Sequence, residues 1–246
     1  MSNHTSAPPI LLTIAGFDPS GGAGIAADLK TFAAHNCYGM AVVTALTVQS
    51  TQGVKSTHIT PAATLRAQIE TLLEDAAIAA VKVGMLGNLA NATVVTPNIA
   101  EAEALVGMEI KDLAAMKVAA QKLHEMGAPA VVVKGGHMEK AIDVFFDGAE
   151  LITFGGDHVK SENTHGSGCT FASAITAQLA LGKQLRDAVM LAKAYVVKAI
   201  EKSYAIGKGP GPLNHFYRTQ HEPATRGTHE VPQHGLHPAT EPAPHK

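Results

Sequence analysis

The chain has 246 residues, 46% of them hydrophobic and 4% aromatic, with a formal net charge of −2. That is enough apolar material for a sizeable core, and the near-neutral charge gives no electrostatic case for binding nucleic acid or an acidic membrane. No apolar run approaches the ~20 residues of a spanning helix, MSNHTSAPP lacks the pattern of a signal peptide, and Cys37 and Cys169 cannot make a disulfide framework, so small-molecule chemistry in a reducing cytoplasm is expected.

Pro9 to Phe17, PILLTIAGF, is a continuous apolar run ending near glycine, the pattern of a strand buried on both faces. A glycine-rich turn, DPSGGAG, then opens a helix with Ile25, Leu29 and Phe32 on one face. Strand Met40 to Val48, helix Ala62 to Asp75 and strand Ala80 to Leu86 follow, with Gly or Pro at the boundaries. Further on come a short strand Thr93 to Thr96, a helix from Ile99 to Val106, a helix from Leu113 to Met126 and a strand from Ala130 to Lys134. AIDVFFDG and ELITFGG alternate and turn at Asp147-Gly148, the signature of an antiparallel hairpin at a sheet edge. Two helices close the domain, the second spanning Leu185 to Tyr204. Strands alternating with helices predict an α/β fold with a mostly parallel sheet covered on both faces.

The composition changes at about Lys208. From Pro210 to Lys246 the chain holds seven of its thirteen prolines and six of its thirteen histidines, without apolar periodicity. Residues 9–207 are therefore expected to form the domain and 208–246 a disordered Pro/His-rich tail, whose histidines are not at metal-ligand spacing.

Ligands of parallel α/β sheets gather beyond the carboxyl ends of the strands, and the polar and glycine motifs of this chain fall there. Gly16, Asp18 and the Ser20–Gly24 loop follow the first strand, Gln49 the second and Gly84-Met85 the third. Asn98 and Glu101 follow the fourth, and Lys134-Gly135-Gly136 the fifth. NTHGSGCT, residues 163–170, runs into the apolar helix FASAITAQLA. Two glycines flanking a serine let a ligand approach the backbone, and the helix start offers unpaired N–H groups and a positive dipole end to an anion. That field also favours a thiolate in the first turn, where Cys169 stands. His165 beside it requires no catalytic task.

TIAGFDPSGGAGIAADLKTF, TALTVQST, VKVGML, VVTPNIAEAEAL, VVVKGGH and THGSGCTFASAI, in this order, resemble the hydroxymethylpyrimidine/phosphomethylpyrimidine kinases of thiamine biosynthesis. The resemblance implies the ribokinase-like three-layer α/β/α fold and phosphorylation of 4-amino-5-hydroxymethyl-2-methylpyrimidine, its monophosphate, or both, with ATP and Mg²⁺. Ribokinase and many pyridoxal kinases have aspartate where Cys169 stands, so the cysteine points to the pyrimidine branch. By the resemblance, Gln49 binds the aminopyrimidine in a pocket shaped by Gly16, Asp28 and Met85. Asn98 and Glu101 organise the nucleotide phosphates and, through water, Mg²⁺, while Lys134 and Gly135 lie near the nucleotide. The N–H groups of Gly166, Ser167, Gly168 and Cys169 form an anion hole, and Cys169 takes the proton of the substrate hydroxyl.

The chain departs from that family in one place. Only Gly87 to Ala92 separates the strand ending at Leu86 from the one beginning at Thr93, whereas parallel neighbours need a crossover of about a dozen residues. A strand, a loop and two helices of the family have no counterpart here. If the link is a hairpin, Asn98 and Glu101 fall on the edge away from Lys134 and Cys169. Exchange of elements in a homodimer would complete the sheet. The alternatives to kinase activity on the pyrimidine are an impaired remnant that only binds it, or a pyridoxal kinase.

Overall fold

The computed structural model describes residues 7–84, 91–136, 141–156 and 159–219. In chain order the elements are β1 (Ile10–Phe17), α1 (Gly24–Ala34), β2 (Tyr38–Ser50), β3 (Gly53–Ile59), α2 (Ala62–Asp75) and β4 (Ile78–Val83). They continue with α3 (Ile99–Val106), α4 (Leu113–Glu125), β5 (Val131–Gly135), β6 (Ile142–Phe146), β7 (Leu151–Phe154), α5 (Ser167–Ala180) and α6 (Leu185–Glu201). Among the described residues the strands form two sheets, ordered β3-β2-β1-β4 and β5-β6-β7. In the first, β1 pairs parallel with β2 and β4, and β3 is antiparallel at the edge. The second is an antiparallel meander, extended by parallel bridges from Val95 to Val131 and from Asn98 to Lys134.

The helices make an α/β/α sandwich. On one face α1, α5 and α6 cover both sheets. There Val132 and Phe145 pack with Phe171, Ile175 and Tyr195, while Leu11 packs with Phe32. On the other face α3 and α4 cover β5, where Val131, Val133 and Val144 meet Met116 and Leu123. The alternation of Val131, Val132 and Val133 between clusters is the period-2 pleat of a strand buried on both sides.

Three expectations are corrected. The strand expected at Thr93–Thr96 is reduced to the two bridges, so the single expected sheet is divided between β4 and residues 95–98. Beside that division Val81 of β4 is 47% exposed; α2, on β2, buries none of its residues, and a groove of about 400 Å³ between them is lined by Ala41, Thr64, Ala67 and Leu72 among others. Strand β3 was not foreseen, because all seven of its residues are exposed and no face imposes apolar alternation. Finally, the domain does not end at 207. Leu213 and His215 are buried, and Leu213 belongs to the α5–α6 core. The change in composition at Lys208 precedes the last packed segment, and residues 220–246 lie outside the described residues.

Candidate active site

The centre of the site is the start of α5. Gly166, its N-cap, has φ 81° and ψ 8°, and a Cβ there would overlap the Gly22 carbonyl. Glycine is required on two counts: the left-handed backbone and the approach of the glycine loop after β1. No side chain caps this end. The Ser167 N–H bonds the Thr164 carbonyl at 3.1 Å, which removes it from the expected anion hole. Gly168 and Cys169, in the first turn, have no intrahelical acceptor, and their amides share the positive end of the helix. Cys169 is a free, partly exposed thiol.

Lys134 faces this turn. Its Nζ lies 3.2 Å from the position a Gly168 Cβ would take. Burial pulls its pKa below the ordinary lysine value, while Glu101, Cys169 and Asp143 act in the opposite sense. Gly135 donates its N–H to Asp143 at 3.0 Å, and Lys193 pairs with the other Asp143 oxygen at 2.8 Å, which fixes the end of β5. Asn98 bridges to Lys134, with Lys134 N–H donating to the Pro97 carbonyl. Asn98 and Glu101 therefore stand on the same edge as Lys134, not on the opposite one. They form a capping box at the start of α3: Glu101 N–H donates to Asn98 Oδ1 and Asn98 N–H to Glu101 Oε2, both at 2.8 Å. Glu101 is solvent-exposed and one oxygen is committed to the cap. Among the described residues no three His, Cys, Asp or Glu side chains cluster to hold a metal ion. Such a donor set fits a hydrated Mg²⁺ shared with nucleotide phosphates rather than a cage of protein ligands.

The other half of the site comes from β1 and β2. Asp18 organises the glycine loop by accepting from Ser20 N and Oγ and from Ala23 N. Its pKa is lowered: desolvation is the largest influence and opposes the shift, but the bonds from Ser20, His165 and Ala23 outweigh it. His165 Nε2 lies 2.8 Å from Asp18 Oδ2; a carboxylate only accepts, so this nitrogen carries the hydrogen. Gln49 lies at the end of β2, its amide 3.2 Å from Thr47 Oγ1 and 3.5 Å from His165 Nε2. The single hydroxyl hydrogen of Thr47 goes to the Phe17 carbonyl at 2.9 Å. His165 spends its one Nε2 hydrogen on Asp18 and so offers Gln49 no donor. Gly16 lies at the β-bulge where the β1–β2 register shifts.

Asp28 is not an open pocket residue. It is fully buried, and its carboxylate accepts from Thr13 Oγ1 (2.6 Å), Lys82 Nζ (2.7 Å) and Ser173 Oγ (2.7 Å). The network ties β1, β4 and α5 together beneath the site. Met85 and most of the link Gly87 to Ala92 lie outside the described residues. Sequence reading missed the Asp18–His165 pair, for which the Asp-x-Ser spacing ahead of two glycines was the available signal. It also missed the C-terminal strap. Gly211 accepts from His165 N–H and donates to Asn163 Oδ1, and Gly209 N–H reaches Thr51, tying the loop before α5 to the turn beyond Gln49.

A family model described as phosphomethylpyrimidine kinase matches residues 18–91 and 88–214, two pieces that meet at the short link. A hydroxymethylpyrimidine/phosphomethylpyrimidine kinase of Bacillus subtilis is 37% identical over 254 positions, covering 83% of this chain and 94% of that protein. That alignment is longer than this whole chain, so the relative has residues within it that this chain lacks. A thiamine biosynthesis bifunctional protein of Geobacter sulfurreducens is 39% identical over 84% of this chain, which spans about half (52%) of that relative. Among solved structures, a Staphylococcus aureus pyridoxal kinase with AMP-PCP and pyridoxal has a TM-score of 0.81 at 33% identity, covering 87% of this chain and 96% of that one. A Clostridium difficile phosphomethylpyrimidine kinase has a TM-score of 0.69 at 33% identity, covering 78% and 99%.

Proposed function

The chain belongs to the phosphomethylpyrimidine kinase family, and from that premise we propose that it transfers the γ-phosphoryl group of ATP to 4-amino-5-hydroxymethyl-2-methylpyrimidine, its monophosphate, or both. The observation that carries this reading is the placement of Lys134 Nζ against the first turn of α5 beside Cys169. Phosphoryl transfer asks chiefly for positioning and for stabilisation of charge on the migrating group. The Gly168 and Cys169 amides and the Lys134 ammonium supply both. The Cys169 thiolate accepts the substrate hydroxyl proton as the substrate oxygen attacks the γ-phosphorus, and the bond to the β–γ bridging oxygen breaks to release ADP. Mg²⁺, held through water by Glu101 beside Asn98, would neutralise charge on the nucleotide phosphates. Gln49, with Gly16 and Met85, recognises the pyrimidine, and Gly135 supports the nucleotide end.

The test is direct. Purified protein with Mg-ATP and the pyrimidine alcohol should form ADP and phosphorylated pyrimidine in equal amounts, and Cys169→Ser should lower kcat by about 10²–10⁴-fold, as expected for loss of a general base. No ADP-coupled product, or a Cys169→Ser protein equal to the parent, overturns the reading. Pyrimidine binding without turnover identifies an impaired remnant, which the divided sheet motivates. Pyridoxal kinase activity is the second reading, favoured by the higher TM-score of that neighbour. Competition between pyridoxal and the pyrimidine decides between them.

A further inference from the structure

We propose that Asp143 and Lys193 are positioning residues: the Asp143 carboxylate, anchored by Lys193 of α6, holds the end of β5 so that the Lys134 ammonium faces the first turn of α5. The inference rests on the reading of Lys134 as the group that stabilises charge on the migrating phosphoryl. Lys134 and Asp143 stand opposite each other on β5 and β6, so their side chains leave the sheet on one face. It is the face of Val132 and Phe145, which α5 and α6 cover. One oxygen of Asp143 accepts the N–H of Gly135, the residue after Lys134, at 3.0 Å. The other accepts from Lys193 Nζ at 2.8 Å, and the same ammonium donates to the Ala141 carbonyl at 2.8 Å, just before β6. Lys134 N–H itself donates to the Pro97 carbonyl on the other side of the strand. The backbone that carries the Lys134 side chain is thus held from both edges, once by a carbonyl and once by a carboxylate.

The charged groups that bear on Lys134 are Glu101 of α3, Cys169 of α5, Asp143 of β6 and Lys82 of β4. Burial is the main reason its pKa is lowered and Lys82 acts in the same sense, while Glu101, Cys169 and Asp143 oppose them. Glu101 is solvent-exposed, and in the proposed reaction Cys169 loses its charge on taking the substrate proton. Asp143, 5% exposed and paired with Lys193, takes no part in that transfer and keeps its charge throughout. It acts on Lys134 in two ways, through the backbone of Gly135 and through this charge. An ion pair that served stability alone could be exchanged for apolar side chains of similar size. One that serves Lys134 could not.

The experiment follows two quantities in the full-length protein. One is kcat with Mg-ATP and the pyrimidine alcohol; the other is the titration of the Lys134 ammonium by NMR of carbon-13-labelled lysine, its signal assigned by its loss in Lys134→Met. Asp143→Asn keeps an oxygen for Gly135 and removes the charge, so the Lys134 titration and the alkaline fall in kcat should both move to lower pH. Asp143→Leu/Lys193→Met removes both charges and the acceptor. Its urea midpoint should exceed that of Asp143→Leu alone, which leaves Lys193 unpaired. Its kcat should nevertheless fall by about 10–100-fold, the cost of a small misplacement, with KM for the pyrimidine unchanged and Lys134 titrating at lower pH. A double variant with parental kcat and an unshifted Lys134 titration overturns the proposal, since a merely structural pair behaves that way. If the double variant does not fold, an unshifted titration in Asp143→Asn overturns it. A parent that forms no ADP-coupled product overturns the kinase reading instead, and the Lys134 titration still decides the role of Asp143.

Discussion

The ammonium of Lys134 and the backbone of Gly168 stand so close that a methyl group on Gly168 would lie 3.2 Å from Nζ. A half-buried cation thus sits over the first turn of α5, where the helix dipole already favours an anion. Lys134→Met should lower kcat by about 10²–10³-fold, the usual loss for one preorganised charge-stabilising group, with pyrimidine affinity unchanged. Steady-state kinetics beside calorimetry separates the two quantities. Because burial holds the Lys134 pKa below 10.5, the alkaline fall in activity should begin before an ordinary lysine titrates.

Gly166 and Gly168 should respond differently to alanine. At Gly166 the left-handed backbone and the overlap with the Gly22 carbonyl should cost more than about 2 kcal/mol. Gly168 is in the helix, and alanine there should change stability by less than about 1 kcal/mol while lowering kcat by displacing Lys134. Chemical denaturation of the two variants checks the contrast.

Asp28→Ala should be destabilising by about 3–5 kcal/mol, because Lys82, 4% exposed, is left as an uncompensated buried charge. Asp28→Leu/Lys82→Met should be less destabilised than Asp28→Ala. The midpoint of urea unfolding, measured without ligand, tests whether Asp28 is foundation or pocket wall. Equal, small effects in both variants would return it to the pocket.

His215 should give the fold an acid sensitivity. Its Nδ1 side bonds the Leu213 backbone, leaving Nε2 to accept from Thr170 Oγ1 at 3.0 Å as neutral imidazole. Burial is the main reason its pKa is lowered from 6.5 to about 4. The folded pKa lies below the unfolded one, so the unfolded chain binds a proton first as pH falls. Stability is full above about pH 6.5 and declines toward pH 4, by about 3 kcal/mol in all. His35, also lowered by burial, adds in the same direction. His215→Gln should flatten the slope of unfolding free energy between pH 6.5 and 4, leaving the part due to His35.

The candidate site was largely legible because its signals are local. Gly166 to Cys169 specify a helix start by glycine placement and following apolar spacing, and Asn98 with Glu101 specify a capping box three residues apart. Strand β3 was invisible for the opposite reason, since neither of its faces is buried. His215 and Leu213 were misassigned to a tail because their burial depends on α5 and α6, far away in the chain, while their neighbours are proline and glycine.

The sequence by itself determined the layered α/β order, the glycine-marked start of α5 and the absence of a crossover after Leu86, since each follows from spacing within a few residues. Only the tertiary structure decided that Asn98 returns to the edge of Lys134, that the sheet is divided beside β4, and that Asp28 serves Thr13, Lys82 and Ser173. It alone joined Asp18 to His165 across 147 residues. Such pairings are set by which surfaces can be buried together and which donors find acceptors there, and neither condition is written in the spacing of neighbouring residues.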